Sequence, residues 1–395
     1  MSQTDTAGAT IGLDEQAILD EALRQASRAR WTDDSFLAPM RVLLRSLVEE
    51  AHLNAAGRFS MRARIVDLLV NRFRLEEHLE RHPEIRDEEI RAPFVIVGLA
   101  RTGTTMLHRL LSCDPNTNAV AWWENRNPAP FPGSKWGEPD PRIAAAHQQV
   151  RAILEAVPAL AAIHPWDPEG PDEEILLLEH SFYSTVPGSM AHVPTYDSWS
   201  KQQDNTGAYE YLKLMLQFLQ WQKRQAGRVG RQWVLKTPHH LGFVEYLFKV
   251  FPDARVIQTH RDPLQTIPSI TSMYYSLWQL ACDDVDPLVV GRYCLEHWSR
   301  ALHHCMQVRD PMTHAPFIDV DYRAVVRDPI AEVGRIYDFL ERKLTAEVVK
   351  EMQWWVEENR RDKRAPHEYS LEKFGFTEAE IRREFADYRQ RYIGS

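Results

Sequence analysis

Cysteine is scarce in this chain, and none of it is arranged for paired chemistry. The four cysteines among 395 residues, Cys113, Cys282, Cys294 and Cys305, show neither a CxxC step nor a histidine-rich spacing. This excludes a cysteine-based zinc site and a disulfide framework, and reads as free thiols in a reducing compartment. Positive charge is also short: 47 lysines and arginines face 56 aspartates and glutamates, a net charge of -9 with both signs mixed along the chain. A nucleic-acid partner would need a basic face that this mixture does not supply, so any anion site must be local. No stretch approaches the ~20 apolar residues of a membrane span. The opening MSQTDTAGATIGLDEQ lacks the cationic and apolar segments of an export signal. Together these absences read as a cytoplasmic protein without integral membrane contact.

One further absence is local. Residues Pro93 to Leu111 read PFVIVGLARTGTTMLHRLL, an apolar strand that passes through a glycine-framed turn into a helix. Gly98 and Gly103 have the spacing of a phosphate-binding loop, but Thr104 stands where GxxxxGK[ST] places its lysine. The backbone cradle and helix N-terminus that favour an anion are kept. The lysine that reaches the terminal phosphates is not. Arg101 supplies a cation inside the loop, and Thr102, Gly103, Thr104 and Thr105 complete the candidate anion-binding set. The pattern suits a sulfated or singly phosphorylated nucleotide end better than metal-bound ATP.

What is present along the chain alternates in a telling way. Residues 1–12 are small and polar, as a disordered tail would be. Residues 13–90 place apolar side chains at three- and four-residue steps, for example Ile18, Leu19, Ala22, Leu23 and Ala26, and read as a helical extension. Residues 91–345 read as the principal domain. After the loop, Pro128, Pro130 and Pro132 predict a pinned, non-helical stretch, then helices run over 141–160 and 208–225. QWVLK (232–236), ARVIQTH (254–260) and PFIDVDY (316–322) read as short strands, each followed by a helical run. Such alternation yields an α/β fold with a central parallel sheet between helical layers, P-loop-like in its first strand and turn. Residues 346–395 are expected to form a C-terminal lid and helix.

Three separated segments, GLARTGTT, WVLKTPHHL and THRDPLQTIPSI, resemble the PAPS-dependent sulfotransferase superfamily, in its bacterial type with a helical N-terminal extension. The resemblance implies that the loop holds the 5′-phosphosulfate of the donor PAPS, with Ala100 departing from the usual proline and Arg101 replacing a common lysine. It implies that Arg261 and Ser269 hold the 3′-phosphate, and Lys363 and Arg364 of the tail join them. The residues agree: Arg261 closes ARVIQTH, at the carboxyl end of a strand where α/β sheets place ligands. Lys236, closing QWVLK, is implied to neutralise charge on the leaving group. The implied reaction is a metal-independent, in-line transfer of the sulfonyl group to a hydroxyl, releasing PAP.

The proton acceptor has more than one candidate. Glu124 follows the loop helix at the distance where related enzymes carry a catalytic glutamate, and His239 follows Lys236 with one extra proline between. His240 is a neighbour that either serves or packs. His164, His180 and His192, with Trp122, Trp123, Trp166 and Trp199, are expected to border a pocket for a small, hydrophobic alcohol or phenol. The alternatives are a nucleotide kinase or NTPase on the same scaffold, and a PAP-binding protein without catalysis. No motif specifies the acceptor or an oligomeric state.

Overall fold

The computed structural model describes residues 12–158, 166–228, 230–312, 316–359 and 370–394. Its centre is a five-stranded sheet, β1 (Phe94–Val97), β2 (Thr117–Asn118), β3 (Gln232–Lys236), β4 (Arg255–His260) and β5 (Phe317–Asp321). All neighbours pair in parallel, in the order β2-β3-β1-β4-β5. The strands expected from sequence are found within a residue at each end. β2 was missed, because two residues carry no periodic signal.

The central strand explains the layering. Alternate side chains of a strand point to opposite faces, and a parallel sheet is covered on both. Phe94 and Ile96 enter one apolar cluster with Leu107, Leu110, Val333 and Met352. Val95 and Val97 enter another with Leu212, Leu216, Ile267 and Cys294. Phe374, Phe376, Ile381, Phe385 and Tyr388 belong to this second cluster, so the segment after residue 370 is part of the core.

Helix starts follow a recurrent local rule. Asp140, Asp262, Asp286 and Asp328 each precede a proline at the first helical position, and each carboxylate accepts a backbone N–H of the following turn. Aspartate satisfies an orphan donor, while proline there gives up an N–H that would have had no partner. The stretch expected to be pinned between helices is in fact begun by a short helix, Trp122–Arg126. Its prolines are tied by the buried Arg142, which donates to the carbonyls of Asn127 and Pro128 at 3.0 and 2.9 Å.

The N-terminal helices, Glu15–Ala26, Leu37–Glu49 and Ala55–Arg81, share a separate apolar cluster that includes Phe36, Met40, Leu47, Leu69 and Phe73. Phe182, Tyr196, Ala281 and Cys282 of the main body complete it. Cys113, Cys282, Cys294 and Cys305 are free thiols, and burial pushes Cys305 up to about 12 and Cys113 to about 11. Among the described residues no helix is long and apolar enough to cross a membrane.

At one point the contact between the extension and the main body is backbone on backbone. Asn54 N–H donates to the Ala281 carbonyl at 2.9 Å, and a Cβ on Gly57 would lie 2.1 Å from that same oxygen. Neither partner is a flexible side chain that could swing away. Gly57→Ala should therefore lower stability by about 1–3 kcal/mol, the usual range for overpacking, measured as a shift in the urea midpoint with unchanged slope.

Candidate active site

The loop between β1 and the helix Thr104–Leu111 can exist only with glycine at its ends. At Gly98 a Cβ would lie 2.2 Å from Thr259 Oγ1 of the adjacent strand β4. Gly103, at φ +90°, caps the helix from the left-handed region that glycine tolerates. Arg101 occupies that region too, at φ +72°, an uncommon state for a residue with a side chain and one that clusters at ligand sites. Thr102 is turned inward: its hydroxyl lies 2.6 Å from both the Leu99 carbonyl and Thr259 Oγ1. It braces the loop through its side chain.

The strands on either side of β1 each deliver a cation to this loop. β3 ends at Lys236, 1% exposed, whose Nζ lies 3.5 Å from Thr105 Oγ1 and 2.5 Å from Glu173 Oε1. Glu174 fixes the same strand end by accepting the Lys236 backbone N–H at 2.7 Å, while its other oxygen lies 2.8 Å from His240 Nε2. His240 is in turn 2.7 Å from the Tyr209 hydroxyl. On the other side, just past β4, the Arg261 guanidinium donates to the Arg101 carbonyl at 2.8 Å and to Gln265 Oε1 at 2.9 Å. It lies 4.2 Å over the ring of Tyr322, which also faces Gly103. Ser269 is buried on the helix Pro263–Ala281 that follows.

Loop, Lys236, Thr105 and Arg261 are thus brought to the carboxyl ends of β1, β3 and β4. Glu124 is not among them. Its carboxylate is 3% exposed, bound to Lys223 Nζ at 2.5 Å and to the Ala121 N–H at 2.9 Å. Lys223 sits 5.7 Å from the ring centre of Trp233, three residues before Lys236 and therefore about 10 Å back along the strand. The sequence spacing that singled out Glu124 leads to a buried ion pair with Lys223. The carboxylate paired with the loop-facing Lys236 is Glu173, in a stretch, HPWDPEGPDEE, that reads in the sequence as a loop with no catalytic signal. Tyr322 was also missed.

His239 is buried, 3.2 Å from Thr185 Oγ1 through Nδ1 and stacked on Phe243 at 4.4 Å. Burial drives its pKa well below that of free histidine, with His240 next in effect. His180 packs inside its helix, and burial lowers it to about 3. His192 lies against Trp278. Trp122 and Trp123 belong to a small cluster with the helix Pro141–Ala156 and so serve packing, whereas Trp199 stacks on Tyr183. His164, Lys363 and Arg364 lie outside the described residues. No group of three His, Cys, Asp or Glu side chains suited to a metal occurs among the described residues.

A family model described as "Sulfotransferase family" matches residues 93–346, from the start of β1 to the first residue of the helix Ala346–Glu358. The chain belongs to the sulfotransferase family. It is an enzyme of that family, one that transfers a sulfonyl group to a hydroxyl, and the kinase reading is not retained. A crystal structure of sulfotransferase STF9 from Mycobacterium avium superposes with a TM-score of 0.86 at 26% identity, covering 98% of each chain. STF1 from Mycobacterium tuberculosis H37Rv gives 0.83 at 28% identity, covering 96% of this chain and 99% of that one. The omega-hydroxy-beta-dihydromenaquinone-9 sulfotransferase Stf3 of Mycobacterium tuberculosis (strain CDC 1551 / Oshkosh) is 24% identical over 339 residues, 81% of this chain and 83% of its own. The sulfotransferase thus shares the helical extension as well as the sheet with STF9 and STF1.

The Glu124 pair generates a test. Glu124→Ala strands a buried ammonium, and breaking such pairs costs about 3–5 kcal/mol. The variant should unfold at markedly lower urea while its folded fraction retains turnover. Full stability with turnover abolished would return Glu124 to the chemistry.

Proposed function

We propose that this sulfotransferase takes the sulfonyl group from PAPS and delivers it to the hydroxyl of an apolar alcohol or phenol, with Lys236 and Glu173 as its catalytic pair. The observation that carries the reading is the placement of Lys236 and Arg261 on the two strands flanking β1, one on each side of the loop. A ligand fitted to that arrangement is anionic at two separated points, as a nucleotide with a phosphosulfate at one end and a 3′-phosphate at the other is. The residues fit such a donor: Gly98 and Gly103 leave bare backbone for close approach, and Arg101, Thr104 and Thr105 add a cation and hydroxyls at a helix N-terminus. Arg261 and Ser269 would hold the 3′-phosphate, joined by Lys363 and Arg364.

PAPS supplies an activated sulfonyl group, and the protein supplies position and charge. Lys236, buried and aimed at Thr105, would neutralise negative charge growing on the leaving oxygen as the S–O bond breaks. Glu173 would take the acceptor hydroxyl proton as that oxygen bonds to sulfur. A carboxylate ion-paired to the same lysine is well placed for this, because the proton it gains and the charge Lys236 meets arise in one step. His239 is the rival base, but its burial makes protonation unfavourable.

Phe243, stacked on His239, and the stacked pair of Tyr183 and Trp199, in the segment whose Thr185 faces His239, support an acceptor with a hydrocarbon body. The mycobacterial relative is named for a hydroxylated menaquinone derivative. A hydroxylated isoprenoid quinone is therefore the first acceptor class to try.

Calorimetric titration with PAP, beside ATP with magnesium, tests the donor site: PAP should bind and ATP should not. Arg261→Ala should weaken PAP about 10- to 100-fold, the loss of a charge-assisted contact. Lys236→Ala should lower kcat by about 10²–10³ while PAP affinity changes little. Glu173→Gln should lower kcat by about 10²–10⁴ with PAP binding retained. If His239→Ala does this and Glu173→Gln does not, the base is His239.

A further inference from the structure

Arg261 is held from behind by the last helix of the chain, Ala386–Tyr392. Arg389 Nε and Nη2 lie 3.0 and 3.2 Å from the two carboxylate oxygens of Asp262, the residue after Arg261. Asp262 also caps the helix Pro263–Ala281, accepting the Leu264 N–H at 3.1 Å, and that helix carries Ser269. One residue earlier in the helix, the Tyr388 hydroxyl meets the end of β4.

The same hydroxyl lies 3.0 Å from Nδ1 of His260, the residue before Arg261, and His260 Nε2 lies 2.8 Å from Asp319 Oδ1. Burial lowers the His260 pKa, so the ring is neutral near pH 7. Its proton then sits on Nε2 and points to Asp319, leaving Nδ1 to accept from Tyr388. Arg309 grips both oxygens of Asp319 at 2.6 and 2.7 Å, and Tyr392 stacks on His260 with centroids 4.1 Å apart and planes 7° from parallel. His260 and Asp262, on either side of Arg261, are each fastened to the C-terminal helix by a different contact.

We propose that Arg389 and Tyr388 are positioning residues for the donor's 3′-phosphate, acting through Asp262 and His260, the neighbours of Arg261 on either side. The inference rests on the assignment of Arg261 to that phosphate. Two effects combine. Fixing the backbone at 260–262 leaves only the Arg261 side chain to be ordered when the phosphate arrives, so less freedom is lost on binding. Arg389 also neutralises Asp262, a carboxylate that would otherwise face an incoming anion from one residue away and compete for the guanidinium. Neither Arg389 nor Tyr388 needs to touch the ligand.

The test is calorimetric titration of PAP into the full-length protein and its variants Arg261→Ala, Arg389→Met, Tyr388→Phe and the double variant Arg389→Met/Arg261→Ala. Arg389→Met and Tyr388→Phe should each weaken PAP about fivefold to tenfold, the scale of one lost polar contact. In steady-state assays both should raise the donor KM and leave kcat within about twofold, since uniform binding is what they affect. On the Arg261→Ala background, Arg389→Met should add nothing, because the two act as one unit. Arg389→Lys should recover part of the loss, restoring the charge without the planar fork. Unchanged PAP affinity in both folded Arg389→Met and folded Tyr388→Phe, or a fully additive loss in the double variant, would overturn the proposal while leaving Arg261 in its role. Unchanged PAP affinity in Arg261→Ala would remove the donor assignment itself, and this proposal with it.

Discussion

The site depends on the close approach of β1 and β4 at Gly98. With no side chain there, the loop can turn directly against Thr259, and Thr102 locks it by bonding the same hydroxyl. Because β1 is the middle strand, whatever follows it is flanked by the ends of β3 and β4. Lys236 and Arg261 inherit their positions from strand order and register. Their chemistry follows from sitting at the ends of two strands that pair with the same third one.

Charge is handled locally throughout. The chain is acidic overall, yet the loop region gathers Arg101, Lys236 and Arg261, with Lys236 engaged by a carboxylate and Arg261 by a carbonyl and a ring. A cation buried as deeply as Lys236 needs a partner, and Glu173 provides one at the place where chemistry is proposed. Lys223 and Glu124 make a second buried pair some distance back along β3, in a setting of packing. Similar pairs thus sit toward different ends of one strand, and only the pair at the carboxyl end lies where the chemistry is proposed.

Much of this was legible beforehand. QWVLK, ARVIQTH and PFIDVDY marked strands because both faces of the sheet are apolar, whereas the aspartate–proline steps at helix starts, an equally local signal, went unread. Lys236 and Arg261 were visible as polar residues closing such runs. Glu173 was hidden, since its meeting with Lys236 joins segments 63 residues apart through a connection without any pattern. Glu124 was attractive for its distance along the chain from the loop, but that distance does not reveal which end of β3 it reaches. The role of the last helix was concealed in the same way, because Arg389 finds Asp262 across 127 residues.

The N-terminal helices share their apolar interior with Phe182, Tyr196 and the end of the helix Pro263–Ala281. The stretch containing Phe182 and Tyr196 also carries Thr185, which faces His239. The extension and the side on which the acceptor is proposed to bind are therefore not interchangeable modules. A graft of new N-terminal helices from a sulfotransferase of different selectivity would meet side chains shaped for the old ones. A lineage changing its acceptor must alter both surfaces in step, so covariation should run between the first 80 residues and the segment around 182–196 more strongly than along either alone.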